Sequence, residues 1–152
     1  MNQQPGQGIN RAGLGATFET DEARKSNLIL EAQLLREQAR ADEAVAKFAE
    51  AARIEESLGQ RCAAQGLIEK SLLHRFSALS LWAQAGNFYQ AIALGDELLA
   101  SPDLAERLRQ RIQKYTHTLR TRRARWYEEL AMELTRSADA LAATHGIYAT
   151  TA

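Results

Sequence analysis

The side chains able to do acid–base, nucleophilic or metal chemistry are three histidines, one cysteine and a few clustered glutamates. Their spacing assembles no catalytic set. His74, His117 and His145 have no second histidine at ligand spacing, so no metal site is expected. No Glu-x-x-His pair is present, which removes the di-iron chemistry that helical bundles carry. Glu128, Glu129 and Glu133 would lie close on one helix, but Arg125 and Arg136 stand three or four residues away and make a solvated, ion-paired face of them. Cys62 falls near an expected helix start, a position that can lower a thiol pKa; its other reading is a small buried core residue. No glycine-rich phosphate loop follows a strand, because no strand is expected. The chain reads as a non-enzyme without cofactors.

Charge is the stronger signal. Between Arg107 and Arg125 there are eight basic residues and no acidic one, whereas residues 19–58 hold ten acidic against six basic. On a helical wheel Leu104, Leu108, Ile112, Tyr115, Leu119, Trp126 and Leu130 share one stripe, with the arginines along its borders. Three readings follow: pairing of the basic run with the acidic first hairpin, binding of an acidic protein or partner helix, and binding of nucleic acid or an anionic surface.

The elements that must carry these residues are helices. The chain has 152 residues, enough for one core, with 45% hydrophobic and 25% charged residues and zero formal net charge. A zero balance supplies no global field for nucleic acid or an anionic membrane. One cysteine excludes an internal disulfide and fits a reducing cytosol. No window approaches 18 apolar residues and the N-terminus lacks an apolar leader, so no membrane span is expected and the location expected is cytoplasmic.

Residues 1–18 hold four glycines and one proline without apolar period and are expected to be a disordered tail, despite Leu14 and Phe18. A helical domain should occupy 19–142, and 143–152 should be a flexible C-terminal tail. Thr20-Asp21-Glu22 marks the first helix, about 21–38, with Leu30, Leu34 and Leu35 at helical spacing. The second, about 42–58, places Ala44, Val45, Phe48, Ala51 and Ala52 at steps of three and four and stops at Gly59. The third spans about 60–85, with Gly66 as a kink or a broken first turn. Gly86-Asn87 closes it and opens the fourth, 88–100, which ends at Ser101-Pro102. The fifth extends from Asp103 to about Ala142; either it breaks near Thr121 and folds back or, as the lack of Gly and Pro there favours, it stays straight and buries its distal stripe against a second molecule.

Two segments are built alike, Ala41–Ala52 and Ala85–Pro102. Leu28, Ala32, Leu35, Ala39, Ala44, Phe48 and Ala51 match Leu79, Trp82, Gly86, Phe88, Ala91 and Leu98 in pattern, with Pro102 near the end. This pattern resembles the tetratricopeptide repeat. Glu31 and Gly95 depart from it, and the alanines are 91 − 44 = 47 residues apart against about 34 in the family. The longer period is similar to the elongated hairpins of the soluble attachment proteins of vesicle fusion. The resemblance implies an all-α fold of two stacked antiparallel hairpins with a long capping helix at the C-terminus. It also implies a concave face holding Ser26, Ile29, Gln33, Arg36 and Glu37, then Leu73, Phe76, Ser80 and Ala83. Burial against the fifth helix is the alternative for Leu73 and Phe76.

The expected function is a non-catalytic protein–protein adaptor or a subunit of a larger cytosolic complex. Its partner is another protein, met on the concave face at Ile29, Gln33, Arg36, Leu73 and Phe76, or through the fifth helix at Arg122, Arg125, Trp126, Tyr127, Leu130 and Leu134. The last set would also serve self-association. The alternative is nucleic-acid or anionic-surface binding through Arg107–Arg125.

Overall fold

A computed structural model describes residues 14–149. Five helices follow one another: α1 Gly15–Glu37, α2 Ala41–Ala64, α3 Ile68–Gln84, α4 Phe88–Leu99 and α5 Glu106–Ala149. No strand occurs among the described residues. Each helix packs on the next, so the molecule is a stack of antiparallel helices.

The first three connections are one device used three times. Ala39, Gly66 and Gly86 have φ of 58°, 75° and 75°. The amide after each reaches back to the helix it leaves: Arg40 to the Leu35 carbonyl at 2.8 Å, Leu67 to Cys62 at 2.9 Å, Asn87 to Trp82 at 2.9 Å. This left-handed closure satisfies the end carbonyls and reverses the chain within three residues. Asn87 then caps α4, its side chain accepting from the Gln90 amide at 3.0 Å.

Small residues set how closely the helices approach. Ala32, Ala44, Ala51, Ala52, Ala78 and Ala91 are buried, and Phe48, Leu79, Trp82 and Leu98 fill the space beside them. Gly59 does not stop a helix. It lies inside α2, where an added Cβ would meet Arg75 Cγ at 3.0 Å and the Ser71 carbonyl oxygen at 3.3 Å. The break falls instead at Gly66, so α2 is longer and α3 shorter than the spacing predicts. The inward face of α1 is Leu28, Ala32 and Leu35, while Leu30 and Leu34 face solvent.

Both ends of the helical body also differ from expectation. The expected tail 1–18 overlaps α1, because Gly15 already begins the helix and Phe18 is fully buried. Phe18 packs with Leu58 and Cys62, meets the His74 ring edge-on at 5.7 Å, and lies under the cations of Arg61 and Lys70. Residues 1–13 lie outside the described part. At the other end, 143–149 continue α5 instead of forming a tail.

Candidate interaction surface

Helix α5 is 44 residues long, about 66 Å at the usual rise. Its first half is seated on α4. Leu104 just before it, then Ile112, Thr116 and Leu119, are buried, and Leu108 and Tyr115 are half-buried. Thr116 sits in the space left by Gly95. Arg109 donates to the carbonyls of Leu99 (2.6 Å) and Ser101 (3.0 Å), binding the end of α4 to the start of α5. Arg120 adds a pair with Asp96 at 2.5 Å.

Beyond Arg123 the support stops and the helix does not. Every described side chain from Ala124 to His145 is exposed. Trp126, Tyr127, Leu134 and Leu141 are 54, 56, 63 and 62% exposed, and Leu130 and Met132 are exposed as well. Trp126 and Tyr127 lie side by side, ring centroids 5.1 Å apart. Where α5 leaves the body, Gly86, Asn87, Phe88 and Tyr89 form a groove of about 380 Å³ with Arg123 and Trp126. Tyr89 and Leu141 escape a reading of motifs alone. Leu141 had a signal, standing seven residues after Leu134, whereas nothing marks Tyr89 in the sequence.

The basic run does not pair with the acidic first hairpin among the described residues. That hairpin pairs within itself, through Arg24–Glu50, Arg40–Glu43 and Lys47–Glu31, with Lys25–Glu55 at 2.6 Å. The partner of Arg120 is Asp96 on α4. Arg107, Lys114, Arg122 and Arg125 enter no salt bridge among the described residues, and Arg111 lies over the Phe76 ring at 5.1 Å.

The proposed concave set is divided. Phe76 is half-buried between Arg111 and Tyr115, the latter edge-on at 6.3 Å. Leu73 is exposed in an open groove of about 600 Å³ with Glu69, Asp103, Arg107 and Arg111. On α1, Ile29 leans on the core, Gln33 is exposed, and Arg36 lies over Phe48 at 4.5 Å. No α1 residue lines the Leu73 groove, so the five residues do not form one surface.

The titratable interior is structural in form. Glu55 is buried, accepts from Lys25, and contacts His74 Nδ1 at 2.7 Å, with Glu22 3.8 Å from the other ring nitrogen. Burial alone pushes the Glu55 carboxyl up, but the hydrogen bonds and charges of His74 and Lys25 outweigh it, and its pKa is lowered. Burial pushes the Cys62 thiol up, the reverse of an activated nucleophile. No group of three metal-ligating side chains occurs among the described residues, and no helix there is long and apolar enough to cross a membrane. Comparison with protein-family models, curated proteins and solved structures gives no significant match.

Proposed function

We propose that this chain is a non-catalytic interaction module of the cytosol, a tetratricopeptide-like stack of helical hairpins that uses the distal half of α5 to bind another protein chain. One observation carries the reading. The apolar stripe that seats α5 on α4 runs on past the body with no other described residue over it, exposing Trp126, Tyr127, Leu130, Leu134 and Leu141. Contiguous exposed aromatic and aliphatic side chains mark contact surfaces on soluble domains. The tetratricopeptide likeness is supported by buried alanines at the matched places, Ala44 and Ala91, and by the repeated turn at Ala39, Gly66 and Gly86.

A specific observation also favours a second reading, an anionic polymer or surface. Arg107, Arg111, Lys114, Arg122 and Arg125 recur at steps of four, three, eight and three, which places them along one outward ridge of α5. Affinity purification of the tagged chain from its own cytosol tests both readings. Trp126→Asp with Leu130→Asp should lose the co-purifying protein, whereas Arg122→Glu with Arg125→Glu should retain it. Loss only in the arginine variant, with capture falling steeply as salt rises, would replace the first reading by the second.

A further inference from the structure

We infer that the occupant of the distal α5 face is the same face of a second copy of this chain, packed antiparallel about a two-fold axis at the level of Met132. This rests on the reading of α5 as a docking element and names what docks there.

Continuity is the first argument. At about 100° per residue, Leu108, Ile112, Thr116 and Leu119 project within the same arc of about 100° as Trp126, Tyr127, Leu130, Leu134 and Leu141. The former set is already packed on a helix of this chain. The latter continues that interface where α4 no longer runs beside it. A second helix is the shape that fits such a stripe. Tyr127, Leu130, Leu134, Ser137, Leu141 and Thr144 alternate by three and four, the spacing by which one helix seats on another. Ala124, Ala131 and Ala138 follow one border at every seventh residue, low enough for a close approach.

Direction is decided by size and charge. The bulk of the stripe lies at one end, in Trp126 and Tyr127, and its small residues at the other, in Ser137 and Ala138. Parallel pairing in register would stack Trp126 on Trp126 and leave Ser137 facing Ser137. Reversal about Met132 brings Tyr127 level with Ser137, Trp126 with Ala138, and Leu130 with Leu134. Leu141 then meets the stem of Arg123, and the end of each helix approaches the groove beside Tyr89 of the other copy. Arg125 comes level with Asp139, and Glu128 with Arg136. No two like charges share a level, whereas in parallel pairing every charge meets its own copy. Residues 1–13 offer only Met1 and Ile9 as large apolar side chains, too little to cover the stripe in place of a second molecule.

Sedimentation equilibrium of the full chain, with two cysteine variants treated with a short thiol–thiol cross-linker, tests the arrangement. The expected mass is twice the 16.9 kDa of one chain. Ala131→Cys, one residue from the axis, should cross-link copy to copy. Ala138→Cys should not, because its counterpart lies twelve residues along the axis, about 18 Å away. Cys62 is buried and stays out of the reaction. Trp126→Asp with Leu130→Asp should sediment as a single chain with the thermal unfolding of the body unchanged. Cross-linking of Ala138→Cys as efficiently as Ala131→Cys would overturn the antiparallel arrangement, and a single-chain mass at every concentration would overturn self-pairing altogether. The docking reading itself fails only if the aspartate variant also recovers the parent's partners in the affinity purification.

Discussion

Replacing Gly95 by alanine places two opposing effects on one methyl group. In an isolated helix the change would stabilise by about 1 kcal/mol, since glycine is the poorest helix former after proline. In this molecule the added Cβ would sit 2.2 Å from Thr116 Cγ2 and 3.1 Å from Leu79 Cδ1. Thr116 is not free to turn away. It is buried, and its hydroxyl donates to the Ile112 carbonyl at 2.8 Å, so rotation would carry an unsatisfied oxygen into apolar surroundings. Overpacking of a filled core costs about 1–3 kcal/mol, and a lost buried hydrogen bond about 1 kcal/mol more. The steric side wins, and Gly95→Ala should destabilise by about 1–3 kcal/mol net. Thr116→Ser removes the methyl and keeps the hydroxyl, so the double variant should recover most of the loss. Urea denaturation of the four proteins in a double-mutant cycle measures this coupling directly. If Gly95→Ala alone is about 1 kcal/mol more stable than the parent, propensity has gone unopposed and α5 does not cross α4 at this point.

The remaining predictions concern the core, one turn and the buried acid. Phe18→Ala should cost about 3–5 kcal/mol in chemical denaturation, because the ring is fully buried against Leu58 and Cys62. Ala39→Gly should stabilise by about 0.5–1 kcal/mol, relieving the left-handed φ of 58° at slightly greater unfolded-state entropy; an unchanged or lower melting temperature would count against that turn. Glu55→Gln should cost about 1–3 kcal/mol near neutral pH. The native carboxyl has a lowered pKa, so its contribution is present above the ordinary glutamate range and is lost as pH falls through the folded value. The stability gap between parent and Glu55→Gln should therefore close in acid, and a gap that widened there would contradict the pairing with Lys25 and His74.

Much of the architecture was legible where apolar residues recur at three and four. Ala44, Phe48 and Ala51 on α2, and Ala91, Ile92 and Leu98 on α4, are buried as their spacing requires. Neither Gly nor Pro occurs between Asp103 and His145, and of the two outcomes this leaves, a break near Thr121 or a straight helix, α5 takes the second. Glycine was harder to interpret, because its two uses look alike in sequence. Gly59 provides room for α3, whereas Gly66 supplies a positive φ, and only the tertiary contacts separate them. Phe18 was obscured by the glycines before it, although Phe18, Asp21, Lys25 and Leu28 already keep helical spacing. The partner of the basic run was not legible either. Asp96 is 24 residues from Arg120, and charge totals do not say which acidic residue a folded chain brings near. Of the candidate sites, the distal α5 stripe is one continuous exposed surface, while the concave set is split between α1 and α3.

A second molecule over the distal face of α5, as proposed, would shield the amides of that helix from solvent. Amide hydrogen exchange across that helix measures the cover most directly. A bare helix of some twenty residues is marginal in water, so residues 124–145 on their own would exchange almost freely. In the purified chain at tens of micromolar, exchange over 124–145 should then be slow, approaching that of 106–123. This protection should fade on dilution and be absent in Trp126→Asp with Leu130→Asp. Fast exchange beyond Arg123 at every concentration, identical in parent and variant, would contradict it.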